Sequence, residues 1–390
     1  MGNRIYLDNA ATTMMSAEVL NEMMPCFSAV YGNASSIHSF GREACAIVDR
    51  ARDRVARAIN AKSNEIYFTS GGSEANSWAI KGLAHAYSYK GKHIITSSIE
   101  HESVLNSLHQ LEKEGFEVTY LPVDKNGIVS LASLMHNIRK DTILISIMSV
   151  NNEVGTIQNI KAIGKTAHEK GILFHTDAVQ ALGSLKIDVE EMEIDAMSMS
   201  AHKIYGPKGI GALYLKNGIQ IENLICGGNQ ERKKRGGTLD VPAIAGFGKA
   251  TEIACRDLFI NQQKLKTIKH YFISQVMEKI PYTSLNGHPQ QSIAGTVNMS
   301  FEMAEGESIM MLLDLEGIAV STGSACTSGS LEPSHVLKAM GLEEEVAQSS
   351  IRFSFPKSIT KDEVNYVVDV LAKVVSKLRS VSPMSARRKK

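Results

Sequence analysis

From about residue 65 to 215 the chain alternates short apolar runs with amphipathic stretches. The runs lie in "EIYFTS", "KHIITSSIEH", "EVTYLPVD", "DTILISIMSVNNEVG" and "GILFHTDAVQ". Between them "SEANSWAIKGLAHAYSY", "ESVLNSLHQLEKEG" and "IKAIGKTAHEKG" carry helical spacing. Runs of about five apolar residues, each followed by a helix of roughly ten to fifteen, predict βαβ units around a mostly parallel sheet flanked by helices, an α/β fold. After about residue 250 the character changes. A long polar helix is expected over "RDLFINQQKLKTIKHYFISQVMEKI", then strands in "GTVNMSFE" and "SIRFSF" and a closing helix at about 361–379. This reads as a smaller α+β domain. The expected division is 14–250 for the large domain, with 1–13 and 251–390 forming the small one.

Composition narrows the function classes. The 390 residues are 43% hydrophobic, enough for a large core and about two domains. Lys+Arg total 42 against Asp+Glu 41, and no basic stripe with interleaved aromatics appears, so direct nucleic-acid binding is not expected. The basic clusters "ERKKR" (231–235) and "ARRKK" (386–390) are short, and the second reads as a solvated tail. Five cysteines, Cys26, Cys45, Cys226, Cys255 and Cys326, are widely spread with no Cys-x-x-Cys pair. That spacing argues against a disulfide framework or a metal site and makes a reducing cytoplasm the default. No apolar run is long enough to span a bilayer and no signal core opens the chain.

In open α/β sheets ligands collect beyond the carboxyl ends of the strands. Ser70 to Ser73, Glu100 and His101, Asn151 and Asn152, Asp177 to Gln180, and Ser200 to Lys203 all follow predicted strands. Two apparent phosphate motifs fail on spacing: "GPKGIG" (206–211) is no dinucleotide fingerprint, and "GKT" (164–166) lacks the upstream glycine of a P-loop. "TSGGSEAN" (69–76) is better placed. Gly71, Gly72 and Ser73 lead from a strand into a helix, whose amides can hold one phosphate; an ordinary turn capped by Ser73 gives the same pattern. Lys203, at a strand end, is either a surface lysine or an amine placed to capture an aldehyde. Asp177 ends an apolar strand, where a carboxylate calls for a cationic partner, and a pyridinium nitrogen would be one. His101 is a capped loop histidine or a ring that stacks on another ring. Arg352 alternates with apolar residues and suits a carboxylate held by two parallel hydrogen bonds. Cys326 sits among Ser, Thr, Gly and Ala in "VSTGSACTSGS", which fits a small-residue filler or a thiol on a pliable loop. Together these are parts for pyridoxal phosphate acting on an amino acid.

With those residues placed, the chain closely resembles the cysteine desulfurases of the class V aminotransferase family. The resemblance runs through "YLDNAATT", "TSGGSEAN", "EHESV", "NNEVGTIQ", "HTDAVQ", "SAHKIYGPKGIGALY", "RGGTLDVPAIAGFGKA", "STGSACTSGSLEPSHVL" and "SSIRFSF". It implies the fold type I architecture of pyridoxal-phosphate transferases and a role for each motif residue. Lys203 would bond the cofactor's aldehyde, Asp177 its ring nitrogen and Gln180 its ring hydroxyl, Asn152 would also touch the cofactor, and His101 would stack on the ring and move protons as a catalytic residue. Gly72, Ser73, Ser200 and His202 would hold the phosphate, and Thr238 would reach the phosphate of a neighbouring subunit in a homodimer. Asn152 and Arg352, assisted by Asn33, would bind the substrate, with Arg352 on its carboxylate. Cys326 would take sulfur from L-cysteine as a persulfide and carry it to acceptor proteins of iron–sulfur assembly or tRNA thiolation. No metal is implied. A selenocysteine lyase, a related aminotransferase and a non-catalytic sulfur-carrier subunit are the competing expectations. The pattern departs from relatives at Ala34, where they commonly have Pro, and at Ser77, where they commonly have Asn.

Overall fold

The computed structural model describes residues 4–322 and 333–381. Seven strands form the larger sheet, in the order Ile66–Thr69, Gly211–Leu215, Ala196–Ser200, Leu173–Asp177, Thr142–Ser146, His93–Ser97, Glu117–Leu121. All neighbours are parallel except Gly211–Leu215, which runs antiparallel to both of its partners. Most of these strands are buried throughout, because helices cover both faces, as parallel sheets require. Helices Gly72–Tyr87 and Glu102–Lys113 pack Trp78, Leu83 and Leu108 against Ile94, Leu144 and Leu213 on one face. Helices Ser39–Ala58, Ile160–Glu169 and Val241–Arg256 cover the other, where Val48, Val55 and Phe247 meet Phe68, Ile145, Phe174 and Met197. The expected βαβ series is therefore present.

The second sheet has four antiparallel strands, ordered Ser321–Thr322, Ser350–Ser354, Thr296–Phe301, Thr283–Asn286. Phe301, Phe353 and Met299 build its core with Phe272 from helix Leu258–Lys279 and Val367 and Leu371 from helix Lys361–Val381. The long helix expected to be polar has a buried stripe of Ile268, Lys269, Phe272 and Val276, so its polarity belongs to its outer face. The chain's beginning belongs with this sheet. Ile5–Tyr6 pairs with Ile318–Ala319, and Ile5 and Leu7 join the same core.

The next six residues lace the two sheets together. The Ala10 amide donates to Ser354 Oγ at 2.8 Å and the Asn9 side chain to the Ser354 carbonyl at 2.9 Å. Thr13 then donates through its amide and its hydroxyl to the His202 carbonyl, both at 2.9 Å. The segment 8–13 thus runs from the end of the small sheet to the Lys203 turn. Among the described residues no helix is long and apolar enough to cross a membrane.

Candidate active site

A cavity of about 310 Å³ opens where the strands of the large sheet end and segment 8–13 crosses. Its wall includes Gly72, Ser73, His101, Asn152, Asp177, Gln180, Ser200, His202, Lys203 and Arg352. Ten residues singled out from sequence, spread over 281 positions from Gly72 to Arg352, thus share one cavity. The exceptions are Thr238 and Asn33, both exposed and off this wall, and Cys326, which lies outside the described residues. Asn33 Oδ1 accepts the Ser35 amide at 2.9 Å, closing a local turn of the kind short amide side chains favour.

Each wall residue owes its place to local structure. Asp177 is the last residue of its strand and is 6% exposed. Its Oδ2 accepts from Asn76 Nδ2 at 2.7 Å and its Oδ1 from the Val179 amide at 2.9 Å. Ser200 ends the adjacent strand, and the short turn Ala201–Lys203 follows. Lys203 Nζ donates to the Ala10 carbonyl and, at 2.7 Å, to that of Ala11. Gln180 Nε2 also donates to Ala10, at 3.0 Å. Ser73 is not the cap of its helix: Gly71 is, without a side-chain bond, which leaves the Ser73 hydroxyl at the cavity. Gly72 is required there because a Cβ would stand 2.6 Å from Val179 Cγ2. His101 caps helix Glu102–Lys113 through Nδ1, which accepts the Ser103 amide at 3.1 Å. Arg352 enters from the small sheet, 3% exposed, with Nη2 2.9 Å from Asp8 Oδ1 and Nη1 3.1 Å from the Asn152 carbonyl.

The cavity disfavours extra positive charge on its histidines. Burial, then Lys203 and Lys208, push His202 down to about 4. Behind the wall, burial raises Glu100 to about 8 even though Ser97 Oγ at 2.5 Å and the Met148 amide at 2.9 Å donate to it. Burial likewise raises Glu153 to about 7, against a hydrogen bond from Ser334 and the charge of Arg352.

Sequence reasoning missed Asn76, Ser103 and Asp8. Asn76 follows Gly72 by four residues, one helical turn, which was the available signal that it shares the face turned to the cavity. Asp8 had one as well: a buried guanidinium calls for a carboxylate, and "YLDN" supplies a charge beside an apolar strand.

The family model for aminotransferase class-V matches residues 5–367. The chain belongs to that family. It is 51% identical over 383 residues to the cysteine desulfurase IscS of Dictyoglomus turgidum, covering 98% of this chain and 97% of that one. The IscS of Methanosarcina thermophila is also 51% identical over 383 residues, with 98% and 95% covered. Among solved structures, a NifS-like protein superposes with a TM-score of 0.91 at 37% identity, covering 96% of this chain and all of its own. SspA in complex with cysteine gives 0.81 at 39% identity, with 92% and 100% covered.

Members of this family are pyridoxal-phosphate enzymes, and the residues present fit that group. The Ser200 hydroxyl, buried at the cavity wall, has no partner among the described residues, as expected of a donor kept for an incoming phosphate oxygen. Gly72 keeps the helix start clear of a Cβ, leaving the amides there accessible. The wall also supplies an amine, a carboxylate and an imidazole, one for each kind of group the cofactor presents.

Proposed function

We propose that this protein is a pyridoxal-phosphate-dependent cysteine desulfurase, converting L-cysteine to L-alanine and leaving the sulfur as a persulfide on Cys326. The observation that carries the reading is the cavity itself: Lys203, Asp177, His101, Ser200 and Arg352 meet there in a chain about half identical to curated desulfurases. Bound through its aldehyde, pyridoxal phosphate withdraws electrons from the amino acid's α-carbon. Lys203 would hold that aldehyde and afterwards move the α-proton. Asp177 would keep the ring nitrogen protonated, and Gln180 would meet the ring hydroxyl. Ser73, Ser200, His202 and the amides from Gly72 would hold the phosphate. Arg352 would take the substrate carboxylate, with Asn152 beside it.

The sulfur step balances without an outside oxidant. The Cys326 thiolate attacks the substrate sulfur, an S–S bond forms and the C–S bond breaks. The bonding pair stays with the substrate carbon, which takes up a proton and becomes the methyl group of alanine. The persulfide then passes to a carrier protein, which we place in iron–sulfur assembly or tRNA thiolation, in the cytoplasm.

We also infer a homodimer. Thr238 is exposed, and Met14, Met24, Phe27, Tyr31 and Ile37 present apolar surface along one N-terminal stretch. The test is to incubate the purified protein with pyridoxal phosphate and L-cysteine, then measure alanine and enzyme-bound persulfide. Equal amounts of the two in a single turnover support the reading; transfer of the amino group to an added oxoacid, with no sulfur released, would sink it.

A further inference from the structure

Four polar side chains on one side of the cavity form a hydrogen-bond chain whose direction follows atom by atom. Asn76 Nδ2 lies 2.7 Å from Asp177 Oδ2 and 2.9 Å from Ser103 Oγ. An amide nitrogen has two hydrogens and accepts none, so both are used and Ser103 Oγ is an acceptor here. The reverse setting of the amide would press its oxygen against the Asp177 carboxylate. The single hydrogen of the Ser103 hydroxyl is left for its other neighbour, His101 Nδ1, at 2.8 Å. The Ser103 backbone amide is aimed at the same nitrogen from 3.1 Å. A ring nitrogen that receives these hydrogens carries none of its own, so the imidazole proton sits on Nε2.

Two observations indicate that the chain is more than packing. Asn76 is 1% exposed and its Oδ1 has no partner among the described residues, so the amide gives up a bond on one side to keep both donors engaged on the other. His101 lines the cavity, and Nε2 has no partner among the described residues.

We propose that Asn76 and Ser103 are positioning residues that hold His101 in its Nε2–H form, so that it meets substrate as a hydrogen-bond donor while proton removal falls to Lys203. To act as a base at Nε2, His101 must first move its proton to Nδ1, against both Ser103 donors. Burial supports the neutral ring by lowering its pKa; Asp177 opposes that and Lys203 reinforces it.

The proposal rests on the desulfurase reading for what the chain serves, while the tautomer is measurable without turnover. The experiment is NMR of the holoenzyme labelled with ¹⁵N-histidine, the His101 signals being those lost in His101→Gln. The expected spectrum has a protonated Nε2 and a bare Nδ1. A proton on Nδ1, or on both nitrogens near neutral pH, overturns the proposal. Asn76→Ala and Ser103→Ala, alone and together, supply a second test by kinetics. Each is expected to lower kcat/KM about three- to tenfold, the size of one hydrogen bond, and the double variant to fall little below the worse single one. Losses that multiply would show that the two side chains do not act as one chain. A protein that makes no alanine but has the expected spectrum would count against the desulfurase reading and leave the tautomer standing.

Discussion

The cavity has two walls built on different terms. On the wall from the large sheet the ionic groups are tied down: Asp177 has a donor on each oxygen, and Lys203 and Gln180 are held by the carbonyls of segment 8–13. What stays open there is neutral: Ser200 Oγ and Asn76 Oδ1 have no partner among the described residues. On the wall from the small sheet the open atom belongs to a charged group. Arg352 is 3% exposed, yet its Nε has no partner among the described residues, and the carboxylate bound to it is that of Asp8, whose side chain is 18% exposed. A buried guanidinium with a spare donor is costly unless a ligand completes it. The contrast teaches a division of labour. The wall whose ionic groups are already engaged suits a group that stays, and the wall whose cation keeps an open donor suits a carboxylate that comes and goes.

The largest effect should come from the wall of the large sheet. Lys203→Ala is expected to fold, to lose the yellow colour of bound cofactor and to lower turnover about 10³-fold or more, since nucleophile and proton carrier go together. Absorbance and alanine assays decide it. Near-normal turnover would break the assignment of this wall to the cofactor. Arg352→Ala should behave in the opposite way, keeping the colour while the KM for cysteine rises roughly ten- to hundredfold, the equivalent of about 1.5–3 kcal/mol for a charged hydrogen-bonded contact. Loss of colour with an unchanged KM would show that the two walls had been assigned the wrong way round.

How far this contrast could be read from sequence depends on the wall. Asp177, Ser200 and Lys203 were legible because a polar residue ending an apolar strand must serve the sheet's carboxyl edge. Arg352 was legible as a charge within alternating apolar positions. Asn76 was legible only through its place one turn after Gly72, and Ser103 not at all, because an amide on a helix and a hydroxyl after a cap are ordinary surface residues until two helices and a strand converge. Asp8 escaped for a related reason: its partner lies 344 residues away, a separation that no local periodicity reports. The parallel order of the large sheet was legible in outline. The antiparallel insertion of Gly211–Leu215 between two strands was not, since an apolar run carries no direction.

Asp8→Asn sharpens the comparison at smaller scale. It removes the carboxylate facing a buried cation but keeps an oxygen in place. The pair is partly exposed on the Asp8 side, so the expected cost to stability is about 1–2 kcal/mol rather than the roughly 3–5 of a fully buried pair. If Arg352 waits for a carboxylate, the product L-alanine should restore more stability to this variant than to the wild type. Thermal unfolding with and without alanine measures the difference. Equal shifts in both proteins would mean that the ligand carboxylate is held elsewhere.

The smallest predicted effect concerns how dry the Arg352 wall is. Glu153 lies next to Asn152, whose carbonyl Arg352 binds; burial raises its carboxyl to about 7 from 4.5, against the Ser334 hydroxyl and the Arg352 charge, with Glu102 adding a small push upward. A carboxyl whose folded pKa is raised contributes stability below its unfolded pKa and loses it as pH climbs through the folded one. The wild type should therefore lose stability between about pH 4.5 and pH 7 through this group. Glu153→Gln cannot ionise and keeps an oxygen for the Ser334 hydroxyl, so its advantage over the wild type should grow from pH 5 to pH 8. The full shift corresponds to about 3 kcal/mol at 1.36 kcal/mol per unit, but relaxation and water entry around an ionised carboxylate leave on the order of 1 kcal/mol. Urea unfolding of both proteins at the two pH values gives the number. A gap that stays constant, or narrows towards pH 8, would mean that Glu153 is solvated when ionised and that the wall behind Arg352 is wet.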